Sequence, residues 1–330
     1  MDSFWIVFRI FAPKLDVMKI LIASFLFFLT TMAHAQLTLP EPCRPAADDF
    51  KNWYDHKTVM GKEAGMTLNG QQYKQTVLGG GGIPKILEDV EIAKKSFGNA
   101  MIRKKMSFSL SILGGTFLGA GLAIQPYLGT SEERSVGNAM LFAGAGLSGI
   151  AVYQEAMQFE KENLAFWQFN RQQLAKTLVQ NTSGSDCYDA FLKHYDEKTL
   201  YLSRFNTFTQ GGKRYGNGLF LGNLKEKMSQ SPSALEQIEK SNNNSWAYRI
   251  GTLTLLSVQG YGFWKLRDAQ NLSRREFNKN IYILLGASLG HAFLTPFRTN
   301  AVQAKQRAVW YYNRDVLLRD DVSKNMDIIK

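Results

Sequence analysis

The chain has 330 residues, 45% of them hydrophobic, and its 39 Lys and Arg against 28 Asp and Glu give a net charge of +11. Such a balance would suit nucleic acid in a cytosolic protein, but no recognition motif accompanies the charge and the chain opens on what reads as an export signal, so nucleic acid is not expected as a partner. Outside the cytoplasm the same charge points to anionic lipid or envelope polymers, or to an ordinary solvated surface.

Residues 1–35 read as an upstream extension followed by a secretory signal whose core is 18–35: Lys19 is its basic start, Ile20 to Leu29 its apolar run, and Ala33-His34-Ala35 a small-x-small cleavage site. Either Met1 or Met18 serves as the start. Arg9, Pro13, Lys14 and Asp16 interrupt the alternative of an uncleaved anchor from Trp5 to Leu29. Export places the two cysteines that remain, Cys43 and Cys187, in an oxidising compartment, where an even count favours pairing. Leu39-Pro40-Glu41-Pro42 lacks the small residue that a lipidated Cys43 would need before it.

After Cys43 an amphipathic helix is predicted from Ala46 to about Ala64, with Phe50, Trp53, Tyr54 and Met60 on its buried side and Pro45 in its first turn. Leu68-Asn69-Gly70-Gln71-Gln72-Tyr73 carries the Asn-Gly pair of a tight β-hairpin, whose central residues need positive φ. Gly79-Gly80-Gly81-Gly82-Ile83-Pro84-Lys85 lacks the spacing and the hydroxyl residue of a phosphate-binding loop and reads as a flexible joint. Ile83, Ile86, Leu87, Val90, Ala93, Phe97 and Met101 then form one helical stripe.

From 106 to 154 the chain is apolar apart from a short linker at Glu132-Glu133-Arg134, and the pattern is that of a helical hairpin. Its runs straddle the ~20 residues that cross a bilayer, and Gly114, Gly115, Gly119, Gly121 and Gly144 suit close packing of membrane helices. A polar helix follows, from about Gln154 to Val179, on which Trp167, Asn170, Arg171 and Leu174 fall at i, i+3, i+4 and i+7 and so share a face. That face is expected to dock on its own repeat.

The same features then return. Cys187 lies 144 residues after Cys43, Tyr195-Asp196-Glu197-Lys198-Thr199 lies 141 after Tyr54-Asp55-His56-Lys57-Thr58, and Tyr215 lies 142 after Tyr73. A second helix is predicted from Ala190 to Phe205, and a second hairpin turn at Gly211-Gly212, though a helix end fits that pair equally. A second apolar hairpin spans 250–297, and Trp310, Asn313, Arg314 and Leu317 repeat Trp167, Asn170, Arg171 and Leu174 at 143 residues. The fold class expected is mainly α: a tandem duplication of a unit of roughly 140 residues, each with an amphipathic helical part, a short β-hairpin, and an apolar transmembrane hairpin followed by a W-x-[FY]-N-R helix. The boundaries are 36–180 for unit 1 and 181–330 for unit 2. Residues at equivalent positions meet where a pseudo-twofold axis passes between two copies, so a Cys43–Cys187 disulfide is expected to clasp them. Four helices buried in a soluble core are the alternative to four membrane spans.

Neither of the common metal or redox spacings occurs in the sequence, there being no His-x-x-x-His and no Cys-x-x-Cys, and neither enzyme, cofactor nor metal is expected. His291 is the one histidine inside an apolar run, and with Gln259 and Gln125 it makes a speculative intramembrane polar site. The function expected is a non-enzymatic envelope membrane protein, with its main polar parts outside the cytoplasm, acting through lipid or other envelope proteins. A small transporter or channel between the hairpins is one alternative, and a soluble exported binding protein, periplasmic or secreted, is the other.

Overall fold

The computed structural model describes residues 39, 43, 45–62, 65–76, 79–124, 131–181, 186–204, 206–217, 221–266 and 273–327. The signal expected over 18–35, and Gln125, lie outside the described residues. The molecule is mainly helical, with two small antiparallel sheets. Helix α1 (Ala47–Lys57) leads into strands β1 (Val59–Lys62), β2 (Gly65–Leu68) and β3 (Gln71–Lys74), a short helix α2 (Ile83–Ile86), and a long helical pair, α3 (Glu91–Ile124) and α4 (Ser131–Asn181). The same order follows in α5 (Asp186–Lys198), β4 (Leu200–Ser203), β5 (Thr207–Gln210), β6 (Lys213–Gly216), α6 (Gly222–Met228), α7 (Pro232–Leu266) and α8 (Arg274–Asp327).

Two expectations about the first helices are corrected here. The helix ends at Lys57 rather than near Ala64, and its counterpart at Lys198 rather than at Phe205. The hydroxyl of Thr58 takes the carbonyl of Tyr54 (2.6 Å) and that of Thr199 takes the carbonyl of Tyr195 (2.6 Å), which closes the last turn. The chain then extends, at φ −100° and ψ 153° for Thr58, into strands that helical periodicity had concealed. Each three-stranded sheet runs β1-β2-β3 or β4-β5-β6. Both contain the hairpin turn read in the sequence: Asn69 and Gly70 have φ of 48° and 74°, and Gly211 and Gly212 have φ of 54° and 72°. Two consecutive left-handed residues are what a two-residue turn between twisted strands requires.

The glycine-rich joint packs against β3. A Cβ on Gly81 would lie 2.2 Å from the Lys74 carbonyl oxygen, so the residue is glycine for want of space. The stripe that follows is buried as expected at Ile83, Leu87, Val90, Ala93 and Phe97, but a 3-10 turn over Leu87–Asp89 and an extended Val90 break it from α3. Each half thus closes its own core. In the first, Val59 and Met66 of the sheet meet Leu87, Phe97, Phe166 and Phe169; in the second, Leu200 and Phe208 meet Leu224, Met228, Ala308 and Tyr312. Burying side chains of this size contributes about 1.5–3 kcal/mol each.

The polar helix expected after each apolar run is no separate element. It continues the second helix of the hairpin, so that α4 is 51 residues long and α8 is 54. At 1.5 Å per residue these are rods of about 80 Å, far beyond a bilayer core of ~30 Å. Inside the first pair the backbones nearly touch: a Cβ on Gly114 would sit 3.0 Å from the Gly144 carbonyl, and one on Gly144 would sit 2.8 Å from that of Gly114. In the second pair Leu294 fills the space over Gly251, and Leu255 that over Gly290. The outer faces carry large exposed apolar side chains, with Phe142 and Phe293 each 79% exposed. Among the described residues one helix, Ser135–Asn181, is long and apolar enough to cross a membrane.

Candidate functional site

The two signature faces do not simply dock on their own halves, and this corrects the expectation. Only the asparagines do. Asn170 accepts from the Val59 amide (2.6 Å) and donates to the Val59 carbonyl (2.9 Å), while Asn313 does the same with Leu200 (2.9 and 2.8 Å). Each side-chain amide thereby satisfies a buried peptide unit at the start of a strand. The tryptophans and arginines reach across. Trp167 Nε1 donates to Thr199 Oγ1 (2.8 Å), and Trp310 Nε1 donates to Thr58 Oγ1 (2.9 Å). Arg171 forks onto both oxygens of Asp196 (2.5 and 2.7 Å), and Arg314 reaches Asp55 (3.4 Å) while also holding Asp315 (3.0 Å). Tyr54 and Tyr195 sit fully buried under these indoles, 5.1 Å from Trp310 and 5.4 Å from Trp167 between ring centres, and burial pushes both phenols well up. The space left between the faces is about 40 Å³, room for a water molecule or two. A ligand of any size needs another place.

Contacts along the seam between the halves pair residues of the repeating spacing with one another. Cys43 and Cys187 form the disulfide, with Cα atoms 5.1 Å apart. Phe50 packs on Phe191 (6.5 Å between ring centres), Gln306 Nε2 donates to Asn163 Oδ1 (3.4 Å), and Arg298 pairs with Glu155.

Beside this seam, where the hairpins meet the two sheets, lies a cavity of about 610 Å³. Five cations border it: Lys62, Lys104, Arg204, Arg298 and Lys305. Two carboxylates face them, Glu155 and Glu162. Phe108, Val152, Ala156, Phe159 and Val302 supply apolar wall. Glu162 is 6% exposed; it accepts from Gln75 Nε2 (2.9 Å) and Gln158 Nε2 (3.5 Å). Burial pushes its carboxyl up to about 7, against the opposing pull of Gln158, the Lys104 charge and Gln75. Lys305 stands 143 residues after Glu162, the equivalent place on α8, and rests its ammonium on Asn206 Oδ1 (3.1 Å). Desolvation pushes it down to about 8, and the like charge of Arg249 acts in the same direction. Lys104 Nζ donates to Gln75 Oε1 (2.9 Å) and the Thr76 carbonyl (2.8 Å), and burial lowers its pKa as well. Gln306 Oε1 and Asn217 Oδ1 are buried in the wall with no partner among the described residues.

The polar residues singled out in the sequence lie elsewhere. His291 on α8 and Gln259 on α7 are each half-buried, and neither borders this cavity. The charged residues that do border it escaped sequence reading because they are scattered from Lys62 to Lys305 and each looks like an ordinary solvated charge. One signal was available: at the 143-residue spacing Glu162 falls on Lys305, opposite charges in one register. Among the described residues no group of three His, Cys, Asp or Glu side chains is placed to hold a metal ion. Comparison with known proteins found no family model, no curated protein and no solved structure that matches the chain.

Proposed function

We propose that this protein is an exported, non-enzymatic membrane protein built by tandem duplication, with both helical hairpins in a bilayer and the two polar halves joined outside the cytoplasm into one ligand-holding head. The observation that carries the reading is the polarity of the hairpins. Small residues bring the paired helices together on the inside, as in membrane packing, while Phe142, Phe293 and their neighbours face outward. A soluble core would bury that outer face, and apolar patches of such extent on a soluble surface are rare. The disulfide fits an oxidising compartment. The recurring element order and the meeting of Phe50 with Phe191 and Asn163 with Gln306 support duplication about a pseudo-twofold axis. With two spans per unit both copies keep one orientation, so the axis runs along the membrane normal and the repeats are parallel.

The test is alkaline carbonate extraction of a membrane fraction, with non-reducing gels alongside. Retention of the oxidised chain in the pellet is expected. Release into the supernatant would sink the membrane reading and leave a soluble binding protein. A small transporter remains the second reading, favoured by the charged cavity at the base of the hairpins; it requires the purified protein to move a charged solute across vesicles, with Glu162→Gln reducing the rate.

A further inference from the structure

We propose that the cavity between the halves binds an anionic phospholipid with a hydroxyl-bearing headgroup, its phosphate held by Lys305 and Lys104 and its acyl chains leaving along the apolar wall. For the origin of the ligand this rests on the membrane reading above. Three observations carry it.

The first is charge. Five cations against two carboxylates leave the cavity basic. Arg298 is engaged by Glu155, and Arg204 by Glu160 (3.5 Å). Lys305 and Lys104, by contrast, rest on neutral amide and carbonyl oxygens. Arg249 adds a like charge near Lys305, so the desolvated ammonium gains from a bound anion more than an exposed lysine would.

The second is the pair of orphaned acceptors. Gln306, 6% exposed, and Asn217, 1% exposed, line the cavity, and the buried amide oxygen of each has no partner among the described residues. A buried acceptor left without a donor keeps its full desolvation cost, so a ligand that supplies the donor is favoured. With a small turn of these side chains toward the cavity, hydroxyl groups on the ligand supply the missing donors, which a quaternary ammonium headgroup does not.

The third is position and shape. Phe108 and Val152 belong to the apolar hairpin, at 42% and 62% exposed, while Phe159 and Val302 lie one or two turns nearer the head. The wall therefore runs from the charged end toward the level expected for acyl chains, and the cavity volume is that of a typical small-ligand site.

The experiment uses the full chain, disulfide intact, in a neutral detergent, titrated with dihexanoyl phosphatidylglycerol, dihexanoyl phosphatidylcholine or inorganic phosphate. Binding is followed by calorimetry and by the melting temperature. Phosphatidylglycerol is expected to saturate one site and raise Tm, with the other two binding about tenfold more weakly or not at all. Lys305→Met is expected to keep the fold and the disulfide while weakening phosphatidylglycerol about tenfold, and Lys104→Gln to weaken it by a smaller factor. Equal binding of the two lipids, or unchanged affinity in both variants, would overturn the proposal. Phosphate binding as tightly as phosphatidylglycerol would make this a free-anion site and overturn the lipid assignment. The probes are short-chain and need no bilayer. A protein released by carbonate that still binds phosphatidylglycerol therefore fails only the membrane reading; one retained in the pellet that does not bind fails only this proposal.

Discussion

Trp310 donates its indole proton to the hydroxyl of Thr58, 252 residues earlier in the chain, and that same hydroxyl caps the helix carrying Tyr54. One threonine thus ends a helix in the first half and receives the signature helix of the second. Trp310→Phe keeps the ring against Tyr54 and deletes the hydrogen bond. It is expected to cost about 1 kcal/mol, whereas Trp310→Ala also empties the site and costs about 3–5 kcal/mol. Chemical denaturation of the two variants in the same detergent checks the difference.

Asn170 and Asn313 are expected to be less tolerant of polar replacement than their neighbours. Asn170→Asp still accepts from the Val59 amide but has no proton for the Val59 carbonyl. Both Asn170→Asp and Asn170→Ala should destabilise by about 2–4 kcal/mol, since each strands buried backbone groups. Equal stability of the Asp variant and the parent would show that this carbonyl is satisfied some other way.

The disulfide closes a separation of 144 residues, and its loss in Cys43→Ser/Cys187→Ser is expected to cost about 2–5 kcal/mol. The crossed hydrogen bonds and ion pairs remain, so the halves stay associated. A protease site placed between residues 181 and 186 makes the covalent link visible. After cleavage, the parent runs as one species on a non-reducing denaturing gel and as two on a reducing gel, while the double serine variant gives two on both.

Glu162 and Lys305 set a pH dependence whose two limbs have opposite sign. Glu162 is raised from 4.5 to about 7, so between those values the folded chain holds a proton that the unfolded chain has lost, and stability falls as pH rises through the window. Lys305 is lowered from 10.5 to about 8, so its neutral form favours the fold above the unfolded value, and that contribution is lost as pH falls toward 8. Between about 7 and 8 both groups are charged and desolvated together. Relative to the parent, Glu162→Gln and Lys305→Met should each gain most in Tm near that pH, Glu162→Gln losing its advantage toward pH 5 and Lys305→Met toward pH 10. A variant-minus-parent difference that stays flat with pH would contradict this assignment.

Much of the architecture was legible in residue spacing. The Asn69-Gly70 turn follows from the φ that only such a pair adopts easily, and the helical hairpins follow from long uncharged runs. Strands β1 and β4 were not legible, because Met60, seven residues after Trp53, continues a helical stripe by chance and the stop depends on a threonine hydroxyl folding back on a carbonyl. The cavity was hidden for a different reason. Glu162 and Lys305 look like ordinary solvated charges in the chain, and it is the packing of Gln75 and Gln158 on the one and of Asn206 on the other, far away in sequence for Gln75 and Asn206, that marks them as buried.

The charges on the seam have a bearing on how two such halves can be put together. Were the first half to pair with a second copy of itself in the same way, Glu155 would face Glu155 and two Glu162 side chains would share one dry chamber. The second half alone would set Arg298 against Arg298 and Lys305 opposite Lys305. Self-association of either piece therefore meets repulsion that the covalent partner relieves, and mixed fragments should choose each other. Carrying opposite sign where they touch, the two halves are not interchangeable.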